Sequence, residues 1–122
     1  QAACPWYPPT NLSTFKYKDA EECAASMESL LLGYNIMRNI KEAYNSSPVS
    51  KMTKDAPPFL IIHGINDQTV PFEQSEELYD KLIENGCDAD LIALEGADHA
   101  DLQFFQDELW DRIIEFFKTK LG

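Results

Sequence analysis

The sequence predicts an α/β fold in which a short parallel sheet is flanked by helices. Three observations carry this expectation. Phe59-Leu60-Ile61-Ile62-His63 is continuously apolar up to its last residue, the pattern of a parallel strand buried on both faces. The stretch from there onward reads strand, loop, helix, strand, loop, helix, an order that implies a parallel pair joined by a right-handed crossover. Finally, Leu102, Phe105, Leu109, Ile113, Phe116 and Phe117 recur at helical spacing and form an apolar stripe able to cover a sheet.

Taken in order, residues Gln1 to Trp6 are short and apolar enough for a strand end, which Pro8-Pro9 forbids from continuing. From Asp19 to about Tyr44 the chain is rich in helix formers. Met27, Leu30, Leu31 and Tyr34 supply a helical stripe there, and Gly33 a break. Asn45-Ser46-Ser47-Pro48 and Asp55-Ala56-Pro57-Pro58 are turn clusters, the second delivering the chain into the apolar strand. Gly64 to Pro71 reads as a loop. Glu73 to Asn85 reads as a helix with Leu78, Leu82 and Ile83 inward, and Gly86 is placed to cap its C-terminus. Ala89 to Leu94 is the second strand, Glu95 to His99 the next loop, and Asp101 the N-cap of the last helix.

At 122 residues the chain accommodates one small domain with a single core, spanning residues 1–122. An apolar fraction of 44% and an aromatic fraction of 11% belong to folded globular chains. Ten Lys and Arg against 21 Asp and Glu give a formal charge of −11, which argues against nucleic acid and anionic membranes as partners. The three cysteines, Cys4, Cys23 and Cys87, match neither a disulfide framework nor a CxxC metal pattern, so free thiols are expected. Such thiols suit a cytoplasmic setting, with export left open. There is no window of membrane-span length and no charged-then-apolar leader. The start Gln1-Ala2-Ala3-Cys4, without an initiator Met, leads us to expect a chain cut from a longer one.

The two loops after the strands hold the candidate chemistry. Ligands of open α/β sheets bind at the carboxyl ends of parallel strands. Asp67 lies just beyond the end of the first strand and His99 just beyond the end of the second. Neighbouring strands are about 5 Å apart, so a carboxylate and an imidazole on these loops are within reach of each other. An Asp bonded to a His ring fixes its tautomer and stabilises the imidazolium formed on proton uptake. The spacing therefore suits Asp67 as orienter and His99 as general base. Singly, a loop Asp is commonly a turn former and a loop His merely solvated; the shared edge gives the pair its weight.

The surrounding residues carry a resemblance. Pro57-Pro58-Phe59-Leu60-Ile61-Ile62-His63-Gly64, then Asp67 and Val70-Pro71, resembles the acid-bearing segment of α/β-hydrolases of the esterase/lipase type. Gly96-Ala97-Asp98-His99 resembles the loop with that family's triad histidine. Trp6-Tyr7-Pro8-Pro9-Thr10-Asn11-Leu12 is similar to a stretch following the nucleophile region in acetyl-xylan and feruloyl esterase-like carboxylesterases, and Ser47-Pro48-Val49-Ser50 to an element before the acid strand. The resemblance covers nearly the whole chain in order. It implies the C-terminal part of an α/β-hydrolase fold, with Asp67 as triad acid, His99 as triad base, an acyl ester as substrate, and no metal or organic cofactor.

The family's nucleophile sits in a G-x-S-x-G strand-to-helix elbow before the acid. None of Ser13, Ser26, Ser29, Ser46, Ser47, Ser50 or Ser75 has the required flanking glycines. Cys87 follows a helix and precedes a strand, opposite Asp67 on the sheet, and Cys23 falls in a helical stretch without an elbow. His63, ending a buried strand, is read as a packing or backbone-supporting residue, and Asp98 and Asp101 as loop and cap formers. The expectation is thus part of a serine carboxylesterase acting on small or carbohydrate-linked acyl esters, with the nucleophile-bearing N-terminal part outside the chain. Two alternatives remain: part of a prolyl oligopeptidase-like serine peptidase, or a non-catalytic fragment that associates. An exposed sheet edge invites the missing half or a second copy, so a homo-oligomer is expected.

Overall fold

The computed structural model describes all residues from Gln1 to Gly122. Strands β1 (Phe59–Gly64) and β2 (Ala89–Leu94) pair in parallel, with Phe59 opposite Ala89, Ile61 opposite Leu91 and Gly64 opposite Leu94. The N-terminal segment flanks the other side of β1, joined by parallel bridges Ala3–Phe59 and Trp6–Ile62. Tyr7 N donates to Ile62 O at 2.7 Å, and Pro8-Pro9 then ends the pairing. β1 is therefore central, and its residues Leu60 to Gly64 are all buried, as its unbroken apolarity requires.

Two compact units make up the chain: Gln1–Pro9 with Met52–Gly122, and Thr10–Lys51. The first unit holds the sheet. Its core joins Leu60 and Ile62 to Ala97, Phe104, Leu109 and Ile113, with Trp6, Tyr7, Phe116 and Phe117 packed against them. Since side chains alternate along a strand, Ile61 and His63 look the other way. There His63 meets Ser75 and Phe72, at the start of helix α4 (Glu73–Glu84). Glu73 and Glu76 in its first turn and Lys81 in its last complement the helix dipole. Gly86, at φ +74°, continues from the helix end as the sequence predicts. Leu78 and Leu82 are buried as expected, but Ile83 is exposed, and the inner face runs instead through Gln74 and Ser75. Its polar character follows from the histidine beneath it.

The last helix departs from the sequence reading. Asp101 caps only one 3-10 turn, Leu102–Phe105, through its Oδ1 and the Leu102 amide. Gln106 is extended, with ψ 139°, before α5 runs from Asp107 to Leu121. This interruption shifts the helical phase. Leu102 (80% exposed) and Phe105 (63% exposed) face outward, whereas Phe104 is fully buried. Leu109 and Ile113 keep their predicted places, each contributing about 1.5–3 kcal/mol by burial.

The second unit contains three short helices, α1 (Ala20–Ala25), α2 (Met27–Leu32) and α3 (Ile40–Asn45). Ser26 ends α1 and caps α2, its Oγ accepting from Ser29 N, and Gly33 ends α2 at φ +77°. Each break resets the phase, so most of the predicted stripe does not face a core: Met27, Leu30 and Leu31 are exposed, and only Tyr34 packs against it. The core is instead Leu12, Cys23, Ile36 and Ala43. Buried Ser47 donates to Ala43 O at 2.7 Å and accepts from Leu12 N at 2.8 Å, tying the ends of this unit together.

Candidate active site

The loop after β1 and the loop after β2 meet because Gly64 has no side chain. A Cβ there would stand 2.3 Å from Ala97 O, a backbone atom, so any other residue forces the strands' ends apart. The same carbonyl accepts from Asn66 N at 3.0 Å, and Ile65 N donates to Leu94 O at 3.0 Å. Asp98 adds a second tie, its Oδ1 accepting from Gln68 N at 2.9 Å and His99 N at 2.6 Å. Those two amides, Gln68 first, hold the Asp98 carboxyl below its ordinary range.

Within this framework Asp67 and His99 come together as predicted. His99 Nδ1 lies 2.8 Å from Asp67 Oδ2. The carboxylate is fixed from its far side, Oδ1 accepting from Thr69 N at 2.8 Å and Val70 N at 2.7 Å. The Asp67 side chain is fully buried, while that of His99 is 29% exposed. Buried acid and half-exposed base are what a proton-transfer pair needs: the acid keeps one orientation, and the base remains reachable. With Nδ1 engaged by the carboxylate, Nε2 is left as the ring nitrogen for proton exchange.

Tyr7 forms one wall. Its ring centroid is 4.1 Å from that of His99, and its other contact is Phe104 at 5.0 Å. Tyr7 holds φ +38° and Ala100, next to His99, φ +53°, a left-handed conformation that non-glycine residues adopt at a cost of about 1–3 kcal/mol. The imidazole is thus bracketed by two strained residues. Nothing in the pattern of the sequence distinguishes Tyr7; its conformation is visible only in three dimensions.

His63 was expected to support packing or backbone, and it does: Nε2 lies 2.8 Å from Val70 O. The same nitrogen is also 3.2 Å from Asp67 Oδ2, a contact the sequence did not signal. Ser75 Oγ is 2.6 Å from His63 Nδ1, but Ser75 is wholly buried and so is no accessible nucleophile. Cys87 lies just before β2, at the sheet end opposite Asp67, with Sγ 3.2 Å from Thr53 O. Cys23 is buried in the other unit, and all three cysteines are free thiols.

Comparison with known proteins identifies the family. The BD-FAE family model matches residues 1–82. Over 95 residues the chain is 34% identical to a rice (Oryza sativa subsp. japonica) protein named probable isoprenylcysteine alpha-carbonyl methylesterase ICMEL1, covering 75% of this chain and 21% of that one. Over 82 residues it is 29% identical to the probable carboxylic ester hydrolase LipM of Mycobacterium tuberculosis, covering 67% and 19%. The chain thus spans about a fifth of the length of these curated relatives. Among solved structures, a truncated carbohydrate esterase from gut microbiota superposes with TM-score 0.82 at 26% identity, covering 98% of this chain and 42% of that one. A bifunctional GH43-CE protein of Bacteroides eggerthii superposes with TM-score 0.85 at 25% identity, covering 99% and 17%. The chain belongs to the BD-FAE family and shares the esterase-type α/β-hydrolase fold.

Proposed function

We propose that Asp67 and His99 are the acid and base of a serine carboxylesterase whose nucleophile lies outside residues 1–122. The observation that carries this is the 2.8 Å contact between His99 Nδ1 and Asp67 Oδ2 at the carboxyl ends of parallel strands. In this reading His99 Nε2 takes the proton of the serine hydroxyl as its oxygen attacks the ester carbonyl, and Asp67 stabilises the resulting imidazolium. His99 then gives that proton to the departing alcohol. A water next attacks the acyl-enzyme, His99 accepts its proton and returns it to the serine, and the carboxylic acid leaves. A carbohydrate esterase among the similar structures, and a probable methylesterase among the relatives, support small or carbohydrate-linked acyl esters as the substrate class.

The 122-residue chain contains no G-x-S-x-G, so in this reading it does not turn over esters by itself. It associates instead through the N-terminal segment. Ala3, Pro5 and Tyr7 bond to β1, which turns the Ala2, Cys4 and Trp6 backbone toward the opposite edge, open to a further strand. The test uses the full-length protein with short p-nitrophenyl esters and matched peptide substrates. Ester turnover lost in His99→Ala and Asp67→Asn is expected. Turnover unchanged in both overturns the assignment, and preference for peptides would place the protein with serine peptidases. Labelling of the 122-residue chain by a fluorophosphonate probe would show an activated nucleophile within it.

A further inference from the structure

We infer that His63 is a positioning residue for the proposed reaction: a neutral imidazole, fixed in one tautomer, that clamps the turn carrying Asp67 and donates to Oδ2, the same carboxylate oxygen that His99 engages. This rests on the assignment of Asp67 and His99 above and adds a further member to that site.

The hydrogen-bond directions follow from the partners. Val70 O, 2.8 Å from Nε2, is a carbonyl and only accepts, so Nε2 carries the proton. That N–H is shared with Asp67 Oδ2 at 3.2 Å. In the neutral ring Nδ1 then accepts, and the Ser75 hydroxyl at 2.6 Å is its donor. Ser75, His63, Asp67 and His99 therefore form one chain of hydrogen bonds whose directions are all set, ending at the half-exposed ring. The His63 side chain is wholly buried, and burial pushes its pKa down from 6.5, outweighing the opposite effects of Val70 O and Asp67.

A merely structural histidine would need only its two local partners. This one grips both ends of the turn whose Thr69 and Val70 amides hold the other carboxylate oxygen. The side chains that face the network are few. Asp67 and His99 act on His63 from the two loops, Ser75 and the Phe72 ring from the start of α4, and Tyr7 and Asp98 flank His99.

The test has two parts with separable failures. In the unmutated 122-residue chain, nitrogen–proton NMR of the imidazoles should show His63 as the Nε2–H tautomer, with its protonation displaced below that of a free imidazole. An Nδ1–H tautomer, or titration near 6.5 as for a free imidazole, overturns the inference whether or not the protein is an esterase. In the full-length enzyme, His63→Gln places an amide donor near the position of Nε2, and His63→Leu places none. The expected result is kcat within about threefold of wild type for His63→Gln. For His63→Leu a fall of about 10²-fold in kcat is expected, with KM unchanged, as for a misplaced catalytic group. Equal losses in both variants, or a loss confined to KM, would overturn the positioning role. Should His63→Leu fail to fold, Ser75→Ala serves in its place: kcat should fall while KM holds, and an unchanged kcat counts against the clamp. A wild-type enzyme inactive on every ester would sink the proposed function and leave the NMR result standing.

Discussion

Replacing Asp67 with Asn preserves the shape of the side chain while turning one of its two acceptors into a donor. The structure dictates which one. Oδ1 faces two backbone donors, Thr69 N at 2.8 Å and Val70 N at 2.7 Å, so the amide oxygen has to occupy that place. The amide nitrogen then stands where Oδ2 was, 2.8 Å from His99 Nδ1. An NH2 group cannot accept from Nδ1–H, so His99 must shift its proton to Nε2, the nitrogen that takes the serine proton in the proposed mechanism. A wrong tautomer of this kind costs about 10⁴-fold in kcat, or about 5 kcal/mol of transition-state stabilisation. The fold should lose less, about 1–3 kcal/mol, because His63 keeps its bond to Val70 O. Imidazole NMR of the chain reports the tautomer and ester turnover of the full-length enzyme reports the rate. An Asp67→Asn variant in which His99 still carries Nδ1–H, or one retaining more than a tenth of the turnover, would refute this reasoning.

Phe104→Ala should destabilise the fold by about 3–5 kcal/mol in urea unfolding, since the side chain is fully buried against Trp6 and Tyr7. Gly64→Ala should cost about 3 kcal/mol or more, because the new Cβ meets Ala97 O at 2.3 Å; a stable variant with unchanged His99 NMR signals would show that the loops can part freely. Stability should also fall as pH drops below 6.5. His63 has a depressed pKa in the fold, so the unfolded chain binds its proton first, and the loss proceeds at up to about 1.4 kcal/mol per pH unit until the folded-state value is reached. His63→Gln should flatten that part of the pH–stability curve, and an identical curve for both proteins would contradict the burial effect. Sedimentation of the 122-residue chain should reveal species larger than a monomer, and a monodisperse monomer would count against association through the N-terminal edge.

Much of the first unit was legible in the sequence because its signals are local. An apolar run bounded by Pro57-Pro58 and Gly64 can scarcely be anything but a buried strand, and β2 occupies the predicted residues Ala89–Leu94. Parallel pairing follows from the intervening helix, and it places Asp67 and His99 on one edge. Where the reading failed, phase was at fault. Ser26, Gly33 and Gln106 each interrupt a helix, and one interruption moves the buried face to other residues: Phe104 for Phe105, and Cys23 and Ile36 for the Met27–Leu31 stripe.

Residue order by itself determined the pair Asp67 and His99, since their places just past two parallel strands are a matter of counting along the chain. It determined neither His63's grip on Asp67 nor the Tyr7 ring against His99. His63 stands only four residues before Asp67, but its tautomer depends on Ser75, 12 residues on, and Tyr7 meets His99 from the far end of the chain, separations that no periodicity spans. They arise where α4 settles on β1 and the N-terminal segment pairs beside it. Only that packing turns a histidine at the end of an apolar strand into a buried donor with one permitted tautomer, because a desolvated imidazole must find a partner for each nitrogen among whatever groups the fold brings near.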